Sequence, residues 1–329
     1  MNESRSRDPH YAPASWARQG KRSNDAPTFA RTGMVRHTHR RTDERLLNSL
    51  WKSDGARCFL ISNGQTIVRR NRSEGLDIVT FSPTSEEAWE GGQRYYLGDD
   101  SSGLSYFSVR QESLDKSAAG ATWLCGLREG GELLSSTQVG LLVHAVSLDN
   151  WHERHRFCPR CGSMTVSAAW GHMRYCPACS AEHYPTSDPA VMALVVDAEE
   201  RVLLGHRRGW PTGRLSLIAG FVDPGESLES AVAREAAEDY GVRIERVCYA
   251  ASEPWPFPTG LMIGFIARAE SHDSGLTLDG DEVDEAVWAS RDRFRRMIET
   301  GEMLKPLGSS LAAQLIESWY GQDLPSRQF

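Results

Sequence analysis

Four cysteines stand as two C-x-x-C pairs, Cys158-Pro-Arg-Cys161 and Cys176-Pro-Ala-Cys179, within a stretch of 22 residues. Two thiolates at this spacing can turn toward one ion, and two such turns close a tetrahedron of sulfur. Zn²⁺ is satisfied by four sulfurs at about 2.3 Å, which leaves no open position for water. Such a centre is structural. A redox-active dithiol is the competing chemistry for a single C-x-x-C; two pairs in tandem favour the metal. His152 and His155 lie close by in sequence, and with four sulfurs present they are expected on a helix surface rather than on the ion.

Chemistry that turns over a substrate has to come from a second cluster, made of carboxylates. From Gly220 through Gly225, Glu226 and Ser227 the chain reads as a tight loop followed by a helix that Gly241 stops. On that helix Glu235, Glu238 and Asp239 stand at i, i+3 and i+4, so they share one face. Acids this close repel one another, more strongly when buried. A divalent cation removes that cost, and oxygen donors of this kind suit Mg²⁺ or Mn²⁺. Arg234, eight residues after Glu226, is placed to pair back to it and fix loop against helix. A solvated acidic helix face is the plain alternative, but it explains neither the glycine spacing nor the arginine.

The elements that position these clusters can be read from periodicity. Leu46, Leu47, Leu50 and Trp51 share a helical face, short strand-like runs follow at 57–62, 66–69, 77–81 and 94–97, and 139–151 reads as a helix. Residues 27–150 therefore form a mixed, strand-rich N-terminal domain, and 151–186 hold the cysteines. Residues 187–329 follow with a hairpin at 190–196 and 201–205, the helix 227–240, strands at 261–267 and 286–289, and a last helix bearing Leu311, Leu315, Ile316 and Trp319. Strands mixed with a few helices indicate an α/β (α+β) sandwich. Residues 1–26 lack either period and read as a flexible basic tail.

Length and composition agree with this division. The chain's 329 residues exceed one ordinary domain, and 40 % hydrophobic with 25 % charged residues describe a globular protein. The formal charge of −7 argues against a surface devoted to nucleic acid. Residues 1–41 nevertheless carry nine Lys and Arg against three Asp and Glu, leaving −13 for residues 42–329. The seven cysteines are odd in number and mostly clustered, unlike a secreted disulfide framework. No apolar run suits a membrane helix or a secretory signal. A cytoplasmic protein is expected.

The segment 220–242 resembles a Nudix box, G-x5-E-x7-R-E-U-x-E-E-x-G-U, with Gly220, Glu226, Arg234, Glu235, Glu238 and Gly241 in place and Asp239 where the pattern has Glu. The shorter arm withdraws that carboxylate by about 1.5 Å. Ser252-Glu253-Pro254-Trp255-Pro256-Phe257-Pro258-Thr259-Gly260 is similar to the SQPWPFPxS segment of the NADH pyrophosphatases, with Glu253 replacing Gln and Gly260 replacing Ser. Three prolines stiffen this loop; a rigid core loop is the alternative reading of it. With the cysteine ribbon upstream, the resemblance covers nearly everything after residue 27.

That resemblance implies a Nudix α/β/α sandwich preceded by a zinc ribbon, and hydrolysis of NAD(H) to nicotinamide mononucleotide and AMP, with removal of NAD caps from RNA as a related activity. It implies a structural Zn²⁺ on Cys158, Cys161, Cys176 and Cys179, and a catalytic Mg²⁺ or Mn²⁺ held by the Ala219 carbonyl, Glu235, Asp239 and Glu282, with Glu238 beside them and Glu285 as the alternative to Glu282. It implies substrate contacts at 253–260, Phe221, Tyr184, Ala312 and Arg128, and a homodimer. Packing between ribbon and Nudix domain remains an alternative for Tyr184. Two other functions stay open: hydrolysis of a different nucleoside diphosphate, prompted by Glu253 and Gly260, and a catalytically weak nucleotide sensor, prompted by Asp239.

Overall fold

A computed structural model describes residues 26–72, 75–84, 92–114, 122–270, 275–306, 308, 310–322 and 324. The tail expected at 1–26 lies outside these residues but for its last one. The chain divides into two compact units, one comprising 28–188 with 253–261, the other 189–252 with 262–329. Among the described residues no helix is long and apolar enough to cross a membrane.

The first unit begins with α1 (Glu44–Trp51), whose N-terminus is capped by Asp43 accepting from the Leu46 N–H at 2.9 Å. Strands β1 (Ala56–Ser62), β2 (Gln65–Arg70), β3 (Leu76–Ile78), β4 (Arg94–Asp99), β5 (Ser105–Arg110) and β6 (Thr122–Gly126) follow, then α2 (Leu127–Leu133) and α3 (Ser136–Arg154). The strands form one sheet in the order β3-β2-β1-β5-β4, with β6 also paired to β2. Strand alternation sorts its two faces. Phe59, Ile61, Tyr95 and Leu97 pack with Val139, Leu142 and Val146 of α3. Ala56, Cys58, Tyr96 and Phe107 pack with Leu47 and Trp51 of α1.

The ribbon strands β7 (Val166–Ala168), β8 (Met173–Tyr175) and β9 (Glu182–His183) make a small antiparallel sheet. The turn between β7 and β8 is anchored to the larger sheet. Trp170 lies 6.0 Å from Trp51 and 5.5 Å from Phe107, ring centre to ring centre, and its indole N–H donates to Glu44. Gly171 has φ +87°, and a Cβ there would stand 2.2 Å from Tyr95 Cδ1. His152 is buried at this junction and is not the surface residue its sequence neighbourhood suggests. Arg174 Nη1, a donor only, lies 2.9 Å from His152 Nδ1, so Nε2 carries the proton and donates to the Gly171 carbonyl at 2.8 Å. Helix α3 is buried on nearly every side, which leaves the polar stripe that would mark a surface position undefined.

The second unit is built on β10 (Asp188–Val196), β11 (Val202–Arg207), β12 (Ile218–Phe221), α4 (Leu228–Tyr240), β13 (Ile244–Trp255), β14 (Gly260–Ala269), β15 (Val283–Ala289), α5 (Arg291–Thr300) and α6 (Leu311–Tyr320). Its sheet runs β13-β14-β10-β11-β15, with β12 paired to β10. Leu194, Val196, Val202 and Leu204 point to one face and pack with Phe294, Ile298, Ile316 and Trp319 of α5 and α6. On the alternate positions Gly205 accepts Tyr240 of α4, where a Cβ would come within 2.2 Å of the phenol oxygen. The result is an α/β/α sandwich.

Burial also sets a pH dependence for the first unit. It pushes His152 down to about 3 and His172 to about 4, against an ordinary value of 6.5. A histidine depressed in the folded state leaves stability intact above pH 6.5 and removes it as pH falls below that value. We expect unfolding free energy to fall by about 2 kcal/mol per histidine between pH 7 and pH 5. Thermal or urea denaturation across that range measures it, and His152→Gln, which cannot titrate, should flatten the slope.

Candidate active site and metal centres

The four cysteine sulfurs all lie within 4.8 Å of one another, with Cys158–Cys179 at 3.7 Å and Cys161–Cys176 at 3.5 Å. A tetrahedron with metal–sulfur bonds of about 2.3 Å requires edges of roughly 3.8 Å, which the two short edges approach, so the four sulfurs are gathered to hold one Zn²⁺. The Ser163 backbone N–H holds the Cys161 thiol down to about 6, toward the thiolate that a metal needs. His183 Nε2 lies 3.3 Å from Cys158 Sγ, a hydrogen-bond partner for a ligand sulfur that sequence spacing did not reveal.

In the second unit the loop after β12 leads into α4, and Ser227 caps that helix by accepting from the Ser230 N–H at 3.1 Å. Gly241 ends it with φ +68°, a left-handed conformation that favours glycine. The three acids of α4 do not point alike. Glu235 and Asp239 are buried, whereas the Glu238 side chain is 64 % exposed. Arg234 joins the group: it reaches Glu226 with Nε and Nη2 at 2.9 and 3.0 Å, Glu235 at 2.9 Å, Glu238 at 3.2 Å and the Phe221 carbonyl at 2.9 Å. The return pair to Glu226 is as the spacing suggests.

The β10–β12 pairing sets Gly220 opposite Val191 and Ala219 opposite Met192. Gly220 is where the Glu235 carboxylate lies, since a Cβ there would stand 1.9 Å from Glu235 Cδ and Oε1. Burial and then the Glu235 charge push Asp239 up to about 6, opposed by Arg207. Arg207 Nη2 donates to the Ala219 carbonyl at 2.9 Å and lies 3.1 Å from Glu282 Oε2 and 3.9 Å from Asp239 Oδ2. Ala219, Asp239 and Glu282 are thereby brought together around one guanidinium, with Glu235 beside Asp239. Glu285 is exposed and faces His206 across the sheet. Phe221 is exposed, and Ala312 packs partly buried against the core.

In the first unit the proline-rich loop is gathered by residues distant in sequence. Trp255 and Phe257 have ring centres 5.0 Å apart, and Arg128 lies 5.4 and 4.5 Å from them. Asn150 donates from Nδ2 to the Pro256 and Pro258 carbonyls at 3.0 and 2.8 Å, and Thr259 donates to Asp188. Glu253 is buried and accepts from the Phe29 N–H at 3.1 Å. Pro256, Phe257 and Pro258 border a cavity of about 560 Å³ that Arg128, Asn150 and Gln65 also line. Tyr184 is exposed, with its hydroxyl 2.5 Å from Glu182. Arg207, Asn150 and Phe29 carry no signal in the sequence because only long-range contacts single them out.

The NUDIX domain family matches residues 186–306, and the NADH pyrophosphatase zinc ribbon domain matches residues 153–184. The chain belongs to the Nudix hydrolases, in the branch that carries this ribbon. It is 33 % identical to the NAD-capped RNA hydrolase NudC of Mycobacterium bovis, over 89 % of this chain and 94 % of that protein. The NudC of Mycobacterium tuberculosis gives the same identity and coverage. The human NAD-capped RNA hydrolase NUDT12 is 35 % identical over 56 % of this chain and 42 % of its own length.

Two outcomes follow from this geometry. Gly220→Ala must displace the buried Glu235 carboxylate and disturb its pair with Arg234, so hydrolase activity should fall about 100-fold or more and unfolding free energy by about 1–3 kcal/mol; kinetics beside denaturation curves check both. The second outcome concerns pH. A carboxyl raised in the folded state weakens folding as pH climbs from 3.8 toward 6 and keeps that cost above it, until a cation binds the ionised form. Saturating Mn²⁺ should therefore raise the melting temperature more at pH 7.5 than at pH 5, as differential scanning fluorimetry would show.

Proposed function

We propose that this protein hydrolyses the diphosphate of NAD(H) to nicotinamide mononucleotide and AMP, and removes NAD caps from RNA 5′ ends. The observation that carries the reading is the meeting of the Ala219 carbonyl, Asp239 and Glu282 with the buried Glu235, in a chain whose relatives are named for NAD-capped RNA hydrolysis. Glu235, Asp239, Glu282 and the Ala219 carbonyl would hold Mg²⁺ or Mn²⁺. When bound, such ions neutralise diphosphate oxygens and acidify water. The chain's own groups do the rest. Arg234 keeps Glu226, Glu235 and the Phe221 carbonyl in fixed relation, and Glu235, Glu238 and Asp239 form the coupled set of acids that takes up the proton of the attacking water. One phosphorus–oxygen bond of the anhydride breaks, water oxygen adds to phosphorus, and each mononucleotide leaves with its own phosphate.

In the unit that holds these acids, Phe221 is exposed and offers an aromatic face for the nicotinamide ring. In the other unit, exposed Tyr184 and the loop 253–260 with Arg128 are the groups that the family resemblance assigns to substrate, and the loop borders a cavity with the size of a small-molecule site. We assign a homodimer and a reducing, cytoplasmic location, the latter because four of the seven cysteines are gathered for one metal ion and not spread as a disulfide framework. The deciding experiment incubates the protein with NADH, NAD⁺, ADP-ribose and NAD-capped RNA in Mg²⁺ or Mn²⁺. Release of nicotinamide mononucleotide supports the proposal, with Glu235→Gln lowering kcat by about 100-fold or more. Tight nucleotide binding without turnover of any dinucleotide would establish the sensor instead.

A further inference from the structure

Arg207 has no counterpart in the motifs that define the site, yet it lies against three of the site's oxygen-bearing groups. It closes β11 where the register against β15 shifts: His206 pairs with Glu285 and Arg207 with Val283, so Asp284 is the extra residue of a β-bulge. His206 Nδ1 lies 2.6 Å from Asp284 Oδ1 and pins that residue. A bulge bends its strand and re-aims neighbouring side chains. Next in sequence, the Arg208 backbone N–H donates to the Glu282 carbonyl at 2.8 Å, which fixes the loop bearing Glu282. Arg207 Nη2 then meets oxygens from three separate elements, the Ala219 carbonyl of β12, Asp239 of α4 and Glu282 before β15, at 2.9, 3.9 and 3.1 Å.

We propose that Arg207 is a resident cation of the metal site, which converges and neutralises these oxygens and yields them to the divalent ion as it loads. The inference rests on the metal-ligand reading above. Its physical content is competition. A guanidinium and a divalent ion cannot use the same lone pairs at once, and their like charges repel at such range. Binding of one is therefore coupled negatively to the seating of the other. Glu235 stands outside this exchange because Arg234 holds it separately. A merely buttressing arginine would behave in the opposite way: its removal would scatter the ligands and weaken metal binding.

The sign of one measurement separates the two. The full chain, with its ribbon zinc intact and other divalent ions removed, is titrated with Mn²⁺ while electron paramagnetic resonance reports the free ion. Wild type, Arg207→Gln and Arg207→Lys are compared, with circular dichroism establishing that each is folded. Arg207→Gln should bind Mn²⁺ at least about fivefold more tightly, with Arg207→Lys between it and wild type. The melting temperature of the Mn²⁺-free Arg207→Gln protein should drop, and Mn²⁺ should restore it. Unchanged or weaker Mn²⁺ binding by Arg207→Gln overturns the proposal; if that variant does not fold, weaker binding by Arg207→Lys does the same. Wild type that binds no Mn²⁺ sinks the metal-site reading itself. Wild type whose binding is weakened by Glu282→Gln upholds that reading, and the Arg207 variants then decide between resident cation and buttress.

Discussion

Arg234 is the interaction on which the Nudix unit depends. Its guanidinium meets both oxygens of Glu226, one each of Glu235 and Glu238, and the Phe221 carbonyl. A planar fork of five donors can serve carboxylates arriving from different directions, which a lysine ammonium on a flexible stem cannot do with the same geometry. The balance of charge is equally important. Glu226, Glu235 and Glu238 bring three negative charges to one end of the loop–helix junction, and hydrogen bonds from the arginine to these acids push it further toward its charged form. The loop between Gly220 and Glu226 is thus held to Arg234 at both ends, by the Phe221 carbonyl and by the Glu226 carboxylate.

That constraint propagates into the sheet. With Glu235 drawn toward Arg234, its carboxylate lies where a side chain on residue 220 would project, so β12 must carry glycine there. The pairing of β12 with β10 then fixes the carbonyl of Ala219, one residue earlier, beside the acids. Neither step requires long segments to move. Four paired residues on each strand and one missing Cβ turn an ordinary strand end into an acceptor for a cation. Helix α4 is meanwhile held to the sheet by Tyr240 over Gly205, which leaves Asp239, its neighbour, little freedom to swing outward.

Much of this was legible in sequence because it is local. The zinc ligands fall within 22 residues, so spacing alone implies convergence, whereas of the three helix acids within five residues only Glu235 and Asp239 turn inward together. The β-branched runs marked β10 and β11, and the apolar stripe marked α6. Other features were hidden by their physics. Helix α5, RDRFRRMIET, is dominated by charge and buries only Phe294, Met297 and Ile298. Strand β13 keeps no clean alternation over its twelve residues. His152 is buried, against the surface position its sequence neighbourhood suggests, because α3 is buried nearly all round. The resemblance put Arg128 among the substrate contacts, but Asn150 and Phe29 reach the proline-rich loop across more than a hundred residues, and Arg207 acts only through a bulge whose existence depends on the pairing of two strands.

The departures from the family pattern become intelligible as local compensation. Glu253 raises an electrostatic objection if its carboxylate meets a diphosphate, but it is buried and accepts a backbone N–H from Phe29, so its charge is engaged within the fold. Gly260 sits where a Cβ would come to 3.0 Å from the Trp255 carbonyl, which makes the smaller residue the easier fit for this loop. Asp239 is the most consequential of the three. Its arm is shorter than that of Glu by one carbon–carbon bond, and burial beside Glu235 already opposes its ionisation. The long side chain of Arg207 comes from the facing strand to within 3.9 Å and favours the ionised form. The pattern's glutamate carries the same charge as Asp239, so what the shorter arm changes is reach, and Arg207 is the cation that meets this acid within the folded chain.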